Sequence, residues 1–318
     1  MTLDDIKRRI DDSENVVVLA HEMPDGDAIG SALAVCLLIR ELGKNAVVLM
    51  KNIPSQFDFL PGMEYVYDSY DESQVFDLAI VLDCPNINRV SKEFIPFFEG
   101  ARYKVQFDHH DKNSMFADYN IVNHISPAAC QILVSSIEYM GYEISKDVAT
   151  CLLTGIITDT NGFKSENVTI ETFDFVSSTL EMGINLSTIY KESLLRLSMG
   201  KFEVQKLAMN RMEFYANGKI TFTYINMDDV RRLDLKPGDR DGIVEIGRNI
   251  EGVEVSIFLY ELPNGYKVSL RSNDYVNVAD ICMLYGGGGH IKAAASPMHM
   301  EFEEAKKIIL NEVEKRLK

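Results

Sequence analysis

The sequence predicts an α/β protein with an N-terminal parallel-sheet domain carrying helices on both faces. A helical connector and a smaller α+β C-terminal domain with a mixed sheet follow. Three observations predict this. In the first half, short apolar runs alternate with helical segments, as in βαβ units. Residues 186–215 keep helical periodicity for most of their length and read as the connector. From residue 219 the pattern changes to apolar–polar alternation, the mark of half-buried strands. At 318 residues the chain has room for two domains, each with its own core.

Residues 4–15 read as a short amphipathic helix. Residues 16–20, Val-Val-Val-Leu-Ala, are continuously apolar, as a strand buried on both faces is, and run straight into His21-Glu-Met-Pro-Asp-Gly-Asp27. Residues 28–42 are helical, with Gly43 as the stop. Further strands are expected over 46–50, over 78–82 ending at Asp83, and over 103–107 ending at Asp108-His109-His110. Helices follow over 127–140, 146–157 and 170–182, the second running into Thr158-Asp-Thr-Asn-Gly-Phe163. In the second domain residues 220–225, 253–260 and 266–271 alternate, and Pro263-Asn-Gly265 joins the last two as a hairpin. A short helix over 277–284, a glycine run at Gly286–Gly289 and an amphipathic helix over 301–317 close the chain.

Apolar content of 46% and charged content of 25% are those of a soluble globular protein. No apolar run approaches a membrane span, and the N-terminus lacks the basic-then-apolar layout of a signal peptide, so a cytoplasmic protein without a membrane partner is expected. The five cysteines form no Cys-x-x-Cys pair, which argues against a disulfide framework or zinc ribbon and fits a reducing compartment. A net charge of −16 repels long polyanions and points to short anionic ligands rather than a long duplex. No Gly-x-Gly-x-x-Gly or P-loop follows the first strand, against a dinucleotide cofactor or NTPase.

The polar residues that end these runs line up. His21, Asp25 and Asp27 follow the first strand, Asp83 the third and Asp108-His109-His110 the fourth, while Asp159 follows the apolar run 152–157. Open parallel sheets bind ligands at the carboxyl ends of their strands, so these residues can converge. Each alone could be a helix cap or turn former. Together the carboxylates and imidazoles exceed what one metal needs and suit two divalent cations with a bridging carboxylate. Imidazole with carboxylate favours Mn²⁺, with Mg²⁺, Co²⁺ or Zn²⁺ as alternatives, and the lack of nearby thiolates weighs against structural zinc.

His21-x3-Asp25-x-Asp27 with Gly30-Ser31, then Asp83, Asp108-His109-His110 and Asp159, resembles in order the four motifs of the DHH phosphoesterase superfamily. Ser269-Leu-Arg-Ser272 followed by Gly286-Gly-Gly-Gly-His290 resembles the DHH-associated C-terminal domain. Length and glycine motif are most similar to the nanoRNase / 3′-phosphoadenosine-5′-phosphate phosphatase group, which includes linear-dinucleotide phosphodiesterases. The resemblance implies a catalytic domain at 1–185, a helical linker at 186–215 and a substrate-binding domain at 216–318. It implies that His21, Asp25 and Asp83 hold one metal and Asp27, Asp83, His109 and Asp159 the other. Asp83, Asp108 and His110 become the catalytic residues: Asp108 would orient His109, and His110 would face the scissile phosphate. The implied activity is hydrolysis of very short RNA or linear dinucleotides to 5′-mononucleotides and of 3′-phosphoadenosine 5′-phosphate to AMP.

Four glycines let backbone amides approach a phosphate closely, and His290 and Arg271 add charge. The resemblance implies that Arg271, Ser272, Gly286, Gly287, Gly288, Gly289 and His290 grip the terminal nucleotide. One departure is Ala293-Ala-Ala-Ser-Pro297, where the family commonly has Ala-Ala-Gly. A manganese-dependent inorganic pyrophosphatase is a rival, but it would carry a Ser-Arg-Lys-Lys-like stretch in place of the glycine run. A catalytically silent nucleotide sensor would have lost a ligand, and none is missing. A homodimer is left open.

Overall fold

The computed structural model describes residues 2–236 and 238–318. It divides after Arg196 into two compact units.

In the first unit α1 (Leu3–Asp12) precedes β1 (Asn15–Leu19), α2 (Gly26–Glu41), β2 (Asn45–Leu49) and a short β3 (Val66–Tyr67). Then come β4 (Leu78–Leu82), α3 (Ile95–Gly100), β5 (Tyr103–Asp108) and β6 (Tyr119–Val122). The helices α4 (Ala129–Met140), α5 (Lys146–Asp159), α6 (Ile170–Glu181) and α7 (Leu186–Tyr190) complete it. The strands form one sheet in the order β3-β2-β1-β4-β5-β6, and every pairing in it is parallel.

Both faces are covered, which is why the strands read as unbroken apolar runs. Val16 and Val18 pack toward the α2, α4 and α5 side. Val17 and Leu19 pack toward Phe94, Phe97 and Phe98 on the other. The edge strands β3 and β6 went unread because neither is an apolar run of strand length.

β1 lies between β2 and β4, so the chain leaves β1 toward one side of the sheet and β4 toward the other. Loops diverging from neighbouring strands open a crevice at their carboxyl ends. Asp83, immediately past β4, stands at this switch point with φ +48°, an unusual conformation for a residue other than glycine. The α2 and α5 helices cross closely because glycines face the contact. A Cβ at Gly30 would lie 2.5 Å from the Cys151 carbonyl oxygen, and one at Gly155 would collide with Cys130 Sγ and come within 2.8 Å of Asp27 Oδ1.

The segment read as a helical connector is not continuous. After α7 a wider helical turn runs to Leu195, Arg196–Ser198 are extended, and α8 (Met199–Asn210) follows before a strand, β7 (Glu213–Tyr215). The second unit adds β8 (Ile220–Ile225), α9 (Met227–Arg232), α10 (Ile243–Arg248), β9 (Val255–Leu262) and β10 (Gly265–Ser272). It ends with α11 (Val278–Met283), β11 (Gly288–His290), β12 (Ala293–Met298) and α12 (Phe302–Glu314). Its sheet runs β11-β12-β10-β9-β8-β7 and is mixed: β8 and β9 are parallel, the other pairs antiparallel.

Candidate metal centre

Asp25 caps α2, its Oδ1 accepting from the N–H groups of Asp27 and Ala28, each at 3.1 Å. The cap and the ligand role are compatible, because a carboxylate has a second oxygen to offer. Asp27, on the first turn of α2, is fully buried, and its two oxygens accept from Ala129 and Cys130 N–H at 2.6 and 2.9 Å, the N-terminus of α4. Asp159 is the last residue of α5, which runs two residues beyond the helix expected from the sequence. These side chains assemble into His21–Asp25–Asp83 and Asp27–His109–Asp159, each with ligand atoms within 4.8 Å of one another, and Asp83 also neighbours His109 and His110.

Asp83 joins the two groups. Its Oδ2 lies 3.5 Å from His21 Nε2 and its Oδ1 3.4 Å from His109 Nε2. These are charge contacts rather than aligned hydrogen bonds: Asp83 Oδ1 and His21 Nδ1 are buried without a hydrogen-bond partner. Buried polar atoms are nearly always satisfied, so an orphaned carboxylate oxygen amid imidazoles and carboxylates is a donor set that fits divalent cations.

The electrostatics agree. Burial, and then repulsion from Asp83, pushes the Asp27 carboxyl up to about 7. Burial, and then the Asp27 charge, pushes Asp159 up to about 8. Asp25 is raised by burial and by Asp83. Burial opposes the charge on Asp83 too, but the adjacent imidazoles of His109 and His21 outweigh it and hold the carboxyl well below its usual range. His109, despite burial, is raised to about 10 by Asp83, Asp27 and Asp159. The pocket is thus too anionic to ionise fully without cations, and filling it would release protons.

One expected role changes. Asp108 does not orient His109. Its Oδ1 meets His110 Nδ1 at 2.8 Å and its Oδ2 accepts from the His110 N–H at 3.3 Å. The reason is geometric: a carboxylate at a strand end reaches back to the residue two positions on, while the side chain between them leaves in another direction. The His109 ring is held instead by the Ser126 carbonyl, 3.3 Å from Nδ1, which leaves Nε2 for the cluster. Sequence reading missed Ser126 because its backbone does the work. It also missed Asn113, whose amide donates to Asp108 Oδ2 at 2.6 Å, and Gln106, which donates to the Cys84 carbonyl at 2.7 Å and braces the turn after Asp83. Asn161, with φ +47°, lies in the turn that ends α5.

In the second unit Arg271 and His290 both register with Ala293, across β10, β12 and β11. Directly opposed residues share a face, so Arg271 and His290 flank a row whose middle is alanine. Arg271 Nε donates to Glu245 on α10 at 2.7 Å. Two expectations are corrected. The glycine run is not wholly a loop, since Gly288–His290 form the terminal strand β11; Gly287 and Gly289 are required there because a Cβ at either would collide with the Ala295 or Ala293 carbonyl. Ser272 alternates to the face opposite Arg271 and is buried, its hydroxyl without a partner.

The DHH family, N-terminal domain, matches residues 15–156. The DHHA1 domain matches residues 217–318. The chain carries a DHH-family N-terminal domain and a DHHA1 domain. It is 29% identical to the bifunctional oligoribonuclease and PAP phosphatase NrnA of Thermus thermophilus, over 95% of this chain and 90% of that one. The protein of the same name from Mycoplasma genitalium is 26% identical, over 89% and 88%. Among solved structures, an exopolyphosphatase-related protein from Bacteroides fragilis superposes with a TM-score of 0.89 at 26% identity, covering 98% of this chain and 95% of that one. None of the described helices is long and apolar enough to cross a membrane.

Proposed function

We propose that the protein is a di-metal phosphodiesterase that degrades very short oligoribonucleotides or linear dinucleotides to 5′-mononucleotides and dephosphorylates 3′-phosphoadenosine 5′-phosphate to AMP. The observation that carries this reading is the Asp83 carboxylate, with one oxygen facing His21, the other facing His109, and no hydrogen-bond partner for the latter. The names of the relatives support the substrate class. His21, Asp25 and Asp83 would hold one cation, and Asp27, Asp83, His109 and Asp159 the other, with Mn²⁺ favoured by the donor set. When bound, two such cations supply Lewis-acid activation of water and neutralise charge on the phosphoryl group.

The chain's own groups do the rest. The α4 N-terminus fixes Asp27, and Asp108 fixes the His110 ring through Nδ1. That leaves His110 Nε2 to meet the substrate phosphate and, when protonated, to give its proton to the departing 3′ oxygen. Arg271, His290 and the amides of the glycine run bind the terminal nucleotide's phosphate. The net charge of −16 keeps long polyanions away. The reading includes a cytoplasmic location, in keeping with five free buried cysteines.

A side-by-side turnover assay with Mn²⁺ tests it, using a 5′-labelled RNA dinucleotide, a much longer RNA, 3′-phosphoadenosine 5′-phosphate and pyrophosphate, with Asp83→Ala as control. Mononucleotide release from the dinucleotide, lost in Asp83→Ala, is the expected result. Hydrolysis of pyrophosphate alone would make the protein a pyrophosphatase. Nucleotide binding without turnover under any divalent metal would make it a sensor.

A further inference from the structure

We infer that Asn113 is a positioning residue of this site: it locks Asp108 and, through it, sets the orientation of the His110 ring. The inference rests on the phosphodiesterase reading only for its kinetic consequence; the geometry stands independently.

Asp108 is wholly buried, and a buried carboxylate needs partners at both oxygens. Oδ1 is committed to His110 Nδ1 at 2.8 Å. Oδ2 accepts from Asn113 Nδ2 at 2.6 Å and, more weakly, from the His110 N–H at 3.3 Å. Asn113 is itself held at the other end, where its Oδ1 accepts from the Met115 N–H at 2.6 Å. With a backbone donor on its oxygen side, the amide can only present its NH₂ to Asp108, so the carboxamide is fixed in one of its two flips.

The loop is pinned as well. The Ser114 N–H and hydroxyl both donate to the Pro85 carbonyl, at 2.9 and 3.1 Å, two residues beyond Asp83. Asn113 therefore ties the His110 side of the site to the turn that carries the shared carboxylate. An asparagine suits this place better than a cation would. A lysine or arginine would neutralise Asp108 and loosen its hold on His110, whereas a neutral donor satisfies Oδ2 and leaves the charge for the imidazole.

The test uses the full-length, cation-loaded protein in two arms. With Mn²⁺ and an RNA dinucleotide, Asn113→Ala lowers kcat about 10–100-fold, the usual range for removing an outer hydrogen-bond partner, with KM and Mn²⁺ affinity unchanged. The same substitution costs nothing further in a His110→Ala background, because the two side chains act as one unit. Asn113→Asp, which sets two carboxylates against each other, is slower than Asn113→Ala. In the second arm, ¹⁵N-histidine NMR of the Mg²⁺-loaded protein shows a hydrogen-bonded Nδ1–H signal, assigned to His110 by its loss in His110→Ala. That signal disappears in Asn113→Ala. Additive losses in the double variant, weakened metal binding, an unchanged kcat or a persisting Nδ1–H signal would each overturn the inference. A wild-type chain that turns over no substrate, while the NMR signal still depends on Asn113, would sink the phosphodiesterase reading and leave the positioning role in place.

Discussion

Two six-stranded sheets in one chain place their polar residues in opposite ways. The first is parallel, buried on both faces, and has its cluster of polar residues at the strand ends and on the termini of helices α2 and α5. The second is mixed and sets Arg271 of β10 and His290 of β11 on one face, with Ala293 of β12 between them. In the first, burial multiplies electrostatics: like charges are forced together and carboxyl groups are pushed to about 7 and 8. In the second, His290 is exposed and Arg271 is half-buried beside Glu245. On the proposed function the buried cluster holds cations and the row around Arg271 and His290 holds an anion, so damage to the two should read out differently.

The largest effect should come from the shared carboxylate. Asp83→Asn should cut kcat by about 10²–10³-fold or more, with metal stoichiometry falling in parallel, as steady-state kinetics and metal titration will show. Arg271→Ala should instead act on binding. Losing one charge-assisted hydrogen bond, about 1.5–3 kcal/mol, raises KM roughly 10–100-fold while Mn²⁺ affinity holds. An Arg271→Ala loss confined to kcat would break the comparison.

Gly155→Ala should destabilise by about 1–3 kcal/mol, since the added methyl meets Cys130 and Asp27 in a closed helix crossing, and denaturant midpoints will measure it. pH should act on the cation-free protein as well. Asp27 and Asp159 ionise near 3.8 when unfolded but at about 7 and 8 when folded. Between these limits the folded state keeps protons that the unfolded state has lost, so stability falls as pH rises from about 4 to 8. His109, raised from 6.5 to about 10, extends the fall upward. Thermal melts in chelator should decline across pH 5–8, and saturating Mg²⁺ should flatten the trend.

Much of the first unit was legible because parallel strands covered on both faces must be apolar throughout. Residues 16–20, 46–50, 78–82 and 103–107 announced themselves, and so did the polar residues that interrupt them. The short edge strands β3 and β6 carry no such run. In the second unit the Pro263-Asn-Gly265 turn gave away the β9–β10 hairpin, while β11 was hidden inside a glycine run that reads as a loop.

By itself, then, the sequence determined the alternation of strands and helices, the types of residue at the strand ends and the chemistry they suit, because period and composition are local properties of the chain. Tertiary structure alone decided that Asp108 serves His110 and not His109, that the Ser126 carbonyl holds the His109 ring and Asn113 the Asp108 carboxylate, and that Ser272 turns away from Arg271. Those partnerships depend on backbone direction and on hydrogen bonds between segments distant in sequence or folded back on themselves, and no spacing of residue types encodes which lone pair meets which donor.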